Sequence, residues 1–307
     1  MRADRVLSLL PAATEIVCGL GAIERLVGRS HECDFPPAVL RLPIASTPRI
    51  DITGRAGAID AGVRAVLEQG LSVYQVDRDR IAALAPDFIL TQTLCAVCAV
   101  SPDDLALIVC EALPSQPAVV SLDAASLDGL WADIGRVAAA LGRVAQGEAL
   151  VHSLKARLAT LAATPWPGRP RIACLEWLDP LMGAGNWMPE LVAAAGGAAV
   201  FGEAGVHTAP TSWEDLAAAD PDVILIAACG WPIERSRAEM AAVVVRPLWQ
   251  GLRAVRLGRV YVADGHHYFN RPGPRLVESA EILAEILHPG AVTARHRGTG
   301  WEPFRQR

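Results

Sequence analysis

Short apolar runs alternate with amphipathic or Ala-rich segments almost from end to end, and this alternation restricts the fold more than any single motif. The runs Val6 to Leu10, Leu26 to Ser30, Phe88 to Gln92, Ala118 to Leu122, Arg171 to Glu176, Val223 to Ala228 and Val260 to Ala263 read as buried strands. Between them lie segments of helical spacing, such as Thr14 to Leu20 and Arg80 to Ala85. Strands separated by helices need crossover connections, so the chain reads as an α/β protein with parallel sheets.

An internal repeat divides that pattern into two similar lobes. Glu15-Ile16-Val17 and Gly21 recur as Glu190-Leu191-Val192 and Gly196, and the stretch from Asp79 to Leu90 recurs from Glu214 to Leu225. Ala-rich helix–strand units also look alike through composition alone, and that reading stays open here. Between the repeats, Leu127, Leu130, Ile134, Val137 and Leu141 keep a 3–4 spacing that Gly142 and Gly147 interrupt. A mid-helix Gly costs about 1 kcal/mol relative to Ala, so a break near Gly142 is expected. A second helix then runs from about Val144 to Ala163, a rod of roughly 30 Å. The expected division is therefore a lobe over 1–143, a connecting helix over 144–167, a second lobe over 168–290 and a loose tail over 291–307.

Composition narrows the function classes. The chain has 307 residues, is 52% hydrophobic and carries 28 basic against 33 acidic residues. It is able to bury a core, and no basic stripe suggests a nucleic-acid partner. Its apolar stretches fall short of the roughly 20 residues of a membrane span. Pro11, Thr14 and Glu15 interrupt the first apolar run too early for a secretory leader. The seven cysteines are odd in number and lack framework spacing, which suits a reducing compartment. A cytoplasmic monomer is the expectation, and a periplasmic protein is the alternative if the start is misplaced.

Ligands of open parallel sheets bind outside the carboxyl ends of the strands. The residues that follow the strands include His31, Cys33 and Asp34, then Cys95 and Cys98, then Trp177, Asp179, Asn186 and Trp187, then Cys229 and Trp231, and last Asp264, His266, His267, Tyr268, Phe269, Asn270 and Arg271. Four of seven cysteines, three of seven histidines and three of eight tryptophans collect there. His31, Cys33, Cys95 and Cys98 form a candidate soft-metal set, since thiolate and imidazole suit zinc, copper or iron. A lone Cys-x-x-Cys fits a redox pair or two small buried residues equally well. In an extended strand His266 and His267 cannot both face one site, so one of them, His267, is the candidate. Cys18, Cys110 and Cys174 read as core. No nucleotide-cradling loop, Gly-x-Ser-x-Gly elbow or His-Glu-x-x-His is present. A Cys nucleophile with a His base remains formally open, but the expectation is a protein that is not an enzyme.

Ser8-Leu9-Leu10-Pro11-Ala12-Ala13-Thr14-Glu15, Arg29-Ser30-His31-Glu32-Cys33-Asp34-Phe35-Pro36, Ile81 to Asp87 and Ala195-Gly196-Gly197 carry a family resemblance. Their order resembles the cobalamin and ferric-siderophore substrate-binding proteins of ABC importers, from about Val6 to Leu287. The resemblance implies two Rossmann-like lobes joined by a rigid backbone helix, with the ligand in the cleft between them. The cobalamin branch is the most similar. Cobalamin or a related corrinoid is then the implied ligand, with an iron chelate or zinc as alternatives. The contacts expected for it are His31, Cys33, Tyr74, Cys95, Cys98, Trp177, Trp187, Cys229, Trp231, His267, Tyr268 and Phe269. The resemblance also implies that one acid on each lobe, Asp79 and Glu214, docks onto a membrane permease. Two departures stand against this pattern: ordinary members are exported, and their clefts are not lined with thiols. Asp79 and Glu214 read equally well as first-turn helix acids.

Overall fold

A computed structural model of the chain describes residues 4–69, 71–92, 116–207 and 210–305. The chain divides into two compact units. The first comprises Met1–Gly54, Ala58–Ala124 and Asp128–Ser153, and the second Arg55–Gly57, Ala125–Leu127 and Leu154–Arg307.

The first unit is built on a parallel sheet in the order β2-β1-β5-β6, with β1 Val6–Ser8, β2 Leu26–Arg29, β5 Phe88–Gln92 and β6 Ala118–Leu122. A separate two-stranded antiparallel sheet pairs β3 Ser46–Pro48 with β4 Tyr74–Val76. Helices α1 Pro11–Gly19, α2 Ala56–Glu68 and α3 Arg78–Leu84 lie between these strands in the chain. Pro11 opens α1, where its missing N–H costs nothing. Leu7, Leu9, Ile81 and Ile89 pack together as a core, each fully or nearly fully buried. Each such side chain contributes about 1.5–3 kcal/mol by leaving water.

Two helices follow, α4 Leu127–Ala140 and α5 Val144–Ala162. Gly142, at φ +62, makes the expected break between them. Gly147 does not break anything. It sits inside α5, and a Cβ there would lie 2.5 Å from that of Ala138, so its absence lets α5 pack tightly on α4.

The second unit carries a mixed sheet in the order β12-β11-β10-β7-β8. Its parallel centre is β7 Arg171–Leu178, β10 Val223–Ile226 and β11 Val260–Ala263, with β8 Leu181–Gly183 and β12 Trp301–Pro303 antiparallel on the outside. Short β9 Ala198–Ala199 also pairs with β7. Helices α6 Met188–Ala194, α7 Trp213–Ala219, α8 Ile233–Val243, α9 Pro247–Gly251, α10 Arg253–Arg256 and α11 Leu276–Leu287 complete the unit. The loose tail expected after Pro289 is corrected here. Trp301 is buried, and β12 pairs Ala263 with Trp301 and Val262 with Glu302. The polar, Gly-broken sequence of 291–300 hid a strand that needs only three residues.

The internal repeat has a structural counterpart. Asp87 Oδ2 accepts from the Arg5 backbone N–H at 2.8 Å, and Asp222 Oδ2 accepts from that of Arg171 at 2.9 Å. In each unit, the Pro-Asp after a helix therefore caps the neighbouring strand. The residues that end those helices, Ala85 and Asp220, both take a left-handed conformation. Among the described residues, no helix is long and apolar enough to cross a membrane.

Candidate functional site

In the first unit, the motif from Arg29 to Asp34 forms the turn after β2. Arg29 is buried and donates to the carbonyls of Ser30 at 3.2 Å and Cys33 at 3.0 Å. The Cys33 N–H closes the turn onto Ser30 O at 3.2 Å, and Ser30 Oγ accepts from the Glu32 N–H at 3.1 Å. The turn turns His31 toward the β3–β4 pair. Its Nδ1 lies 3.0 Å from Ser46 Oγ, and its ring meets Tyr74 at 4.9 Å. Tyr74 donates its hydroxyl to Glu32 Oε1 at 2.9 Å. His31 Nε2 is buried and has no hydrogen-bond partner. Burial chiefly holds the His31 pKa below the usual imidazole value, with a smaller push from Arg29 in the same direction.

Cys33, a candidate ligand contact and metal ligand, lies against β1. It is fully buried, and its Sγ sits 3.9 Å from Ser8 O, so the thiol is part of the core. Cys95 and Cys98 lie outside the described residues.

In the second unit, the loops after β7, β10 and β11 are knitted together. The Gly265 N–H donates to Trp231 O at 2.9 Å, and Cys229 N–H donates to Glu176 O at 3.0 Å. Asn270 Nδ2 donates to the carbonyls of Ala227 and Gly265, both at 3.0 Å. Only a glycine fits at 265, because a Cβ would lie 2.1 Å from Ala228 O. This close approach sets the loop that carries the histidines.

Asp264 organises that loop. Its Oδ1 accepts from the backbone N–H groups of His266 and His267, both at 2.9 Å, and its Oδ2 lies 2.8 Å from His267 Nδ1. Burial alone would raise the Asp264 pKa. The hydrogen bonds from His267, together with its charge, outweigh burial and hold the carboxyl below its ordinary range. When His267 is neutral and gives Nδ1–H to the carboxylate, its lone pair sits on Nε2. A carboxylate behind one ring nitrogen is the arrangement that orients metal-ligating histidines. The expectation for an extended His266-His267 pair is also corrected. The two residues lie in a turn, with ring centroids 4.7 Å apart. Arg271 Nη2 donates to His266 Nε2 at 3.1 Å.

Two half-buried aromatic residues belong to these strand ends and loops. Trp177 is half-buried and tilts against Trp231 at 4.9 Å, with Arg235 over the Trp231 ring at 4.4 Å. Tyr268 is half-buried, with Arg275 5.5 Å over its ring. Three other sequence candidates are buried. Trp231 is 3% exposed, Trp187 7% and Phe269 1%. Trp187 Nε1 donates to Phe269 O at 2.6 Å, while the Phe269 N–H donates to Ser279 Oγ at 3.0 Å. Together these bonds hold Phe269 at φ +67, a conformation rare for a bulky residue. Cys229 is exposed at the end of the β10 loop. Asp79 and Glu214 are exposed in the first turns of α3 and α7. Sequence reasoning placed Asp264 at the head of this loop but gave it no site role. Its signal was an Asp directly after a strand and three residues before a His, a spacing that folds into a side-chain-capped turn.

Two α/β units with parallel-centred sheets, with polar and aromatic loops at their carboxyl ends, define a solute-binding architecture. The chain belongs to the periplasmic binding protein family, which it matches over residues 6–266. It is a substrate-binding protein of the ABC-importer type. Such proteins bind small ligands and meet ABC permeases, and the family consists of binding proteins rather than enzymes. A vitamin B12-binding protein of Pectobacterium carotovorum subsp. carotovorum is 24% identical over 309 residues, covering 95% of this chain and 92% of that protein. Among solved structures, the periplasmic heme-binding protein RhuT from Roseiflexus sp. RS-1 is 25% identical. It covers 93% of this chain and 98% of its own, with a TM-score of 0.69. The periplasmic vitamin B12-binding protein BtuF of Vibrio cholerae shares the fold at 21% identity, covering 93% and 96%, with a TM-score of 0.65. The family overturns the cytoplasmic expectation, because these are periplasmic proteins. Thiol count and the first few residues were poor guides to compartment.

Proposed function

We propose that the chain binds a cobalt corrinoid, cobalamin or a close relative, for delivery to an ABC permease. The observation that carries this reading is the Asp264–His267 pair at the end of β11. An imidazole fixed in this way offers Nε2 to a metal of intermediate softness, such as cobalt or iron. Trp177 and Tyr268 supply half-buried aromatic surface on the same unit, suited to a macrocycle and its side groups. The vitamin B12-binding relative spans nearly the whole chain and supports the corrinoid choice. Heme is the second reading, favoured by the same His267 geometry and by the likeness to a heme-binding protein. Asp79 and Glu214, exposed at equivalent places in the two units, are the proposed permease contacts.

Titration with aquocobalamin, cyanocobalamin and hemin, followed by visible absorbance, tests the reading. Aquocobalamin should bind with a band shift as imidazole replaces the exchangeable water. Cyanocobalamin, whose cyanide is held firmly, should bind without that shift. Binding of hemin alone would transfer the proposal to heme, and binding of none would end both readings.

A further inference from the structure

The family match ends at residue 266, and the chain beyond it folds back beneath the histidine loop. The backbone N–H of Asp264 donates to Gly300 O at 2.9 Å. Gly300 is held in turn from α11. Buried Glu285 accepts from the backbone N–H groups of Arg295 at 2.8 Å and His296 at 3.1 Å, and from Trp301 Nε1 at 2.6 Å. A carboxylate that accepts from three N–H donors is a strong anchor. The same segment touches the loop again, where the His296 ring meets Tyr268 edge-on at 6.1 Å.

We propose that residues 288–303 form a strap that positions the ligand loop. Glu285 and Trp301 hold Gly300 against the Asp264 backbone, and Asp264 then fixes the orientation and tautomer of His267. Glu285 and Trp301 are positioning residues, acting through Asp264. The physical reason is tolerance. A site group is useful only when held to within about 0.5 Å by its supporting contacts. Asp264 is held from both sides, through its backbone by Gly300 and through its carboxylate by the turn. The inference rests on the proposal that this loop carries the ligand.

The test compares Glu285→Gln and Trp301→Phe with Met240→Ala, a core change elsewhere in the same unit that serves as a stability control. Ring nitrogen-15 shifts of neutral His267 in the ligand-free chain report its tautomer, and aquocobalamin titration reports affinity. The two strap variants should move His267 from the Nδ1–H form toward a mixture and weaken binding about tenfold. The control should leave the tautomer unchanged. An unchanged tautomer in both strap variants, or an equal change in the control, would overturn the strap. Should the wild type bind no tetrapyrrole, the ligand reading fails on its own, and the tautomer on the ligand-free chain still decides the strap.

Discussion

Each unit ends a parallel strand with a histidine, His31 after β2 and His267 soon after β11, and the two are held differently. His31 gives Nδ1 to a neutral hydroxyl, Ser46 Oγ, and its Nε2 is buried. His267 gives Nδ1 to a carboxylate, and its side chain is 37% exposed. The hydroxyl holds the ring without adding charge and ties the β2 turn to the β3–β4 pair. The carboxylate makes the far nitrogen of His267 more basic and aims it. Two residues of one type are thus held by a hydroxyl in one unit and by a carboxylate in the other.

The sharpest way to break this comparison is to exchange the two. His267→Ala should weaken aquocobalamin binding by about 100-fold or more, roughly 3 kcal/mol. His31→Ala should change it less than about threefold while lowering the melting temperature. Equal losses of affinity would mean that both histidines touch the ligand. One step smaller, Asp264→Asn keeps the size but removes the charge behind the ring, and should cost about 10–100-fold. Ser46→Ala should leave affinity where it was. Titrations of these four variants in one buffer decide both points.

Much of this architecture was legible in the sequence because buried parallel strands are runs of apolar residues, and Phe88–Gln92, Ala118–Leu122 and Val260–Ala263 were read with their observed limits. The outer strands were not legible. Leu181–Gly183 and Trp301–Pro303 have three residues each, too few for any periodicity to register. The candidate site was legible as a set of loops and less so as a set of residues. Cys33, Trp187, Trp231 and Phe269 follow strands, as ligand contacts do, yet they are buried. Position along a strand says which loop a side chain joins, and only packing says which way it turns.

Acid response should also separate the two units. Burial holds the His31 pKa below the value of about 6.5 that it has in the unfolded chain. Between those values the unfolded chain binds the extra proton, so stability falls as pH drops below about 6.5. His296 in the second unit runs the other way. Its contact with Glu281 chiefly raises its pKa, so its contribution is full below about 6.5 and fades as pH rises through the raised value. Urea unfolding of His31→Gln should show a smaller loss on acidification than the wild type. His296→Gln should show its deficit in acid and lose most of it in alkali. A His31→Gln profile parallel to that of the wild type would remove the titrating role of that ring.

The smallest expected effect tests the repeat itself. Asp87 and Asp222 each accept the backbone N–H that opens a neighbouring strand, at 2.8 and 2.9 Å. If the two Pro-Asp segments are equivalent devices, removing each carboxylate should cost about the same, close to the 1 kcal/mol of a typical hydrogen bond. They differ in one respect. Asp222 also pairs with Arg253 Nη1 at 2.7 Å, whereas Asp87 has no salt bridge of this kind among the described residues. An exposed ion pair adds about 0–1 kcal/mol and is screened by salt. Asp222→Ala should therefore cost slightly more than Asp87→Ala in dilute buffer, and the gap should close in concentrated salt. Because the two residues share no partner, the double variant should lose the sum of the single losses within about 0.5 kcal/mol. A strong departure from that sum would mean that the two caps do not act independently, each in its own unit. A large gap that persists in salt would mean that the two segments are alike in sequence but not in the work they do.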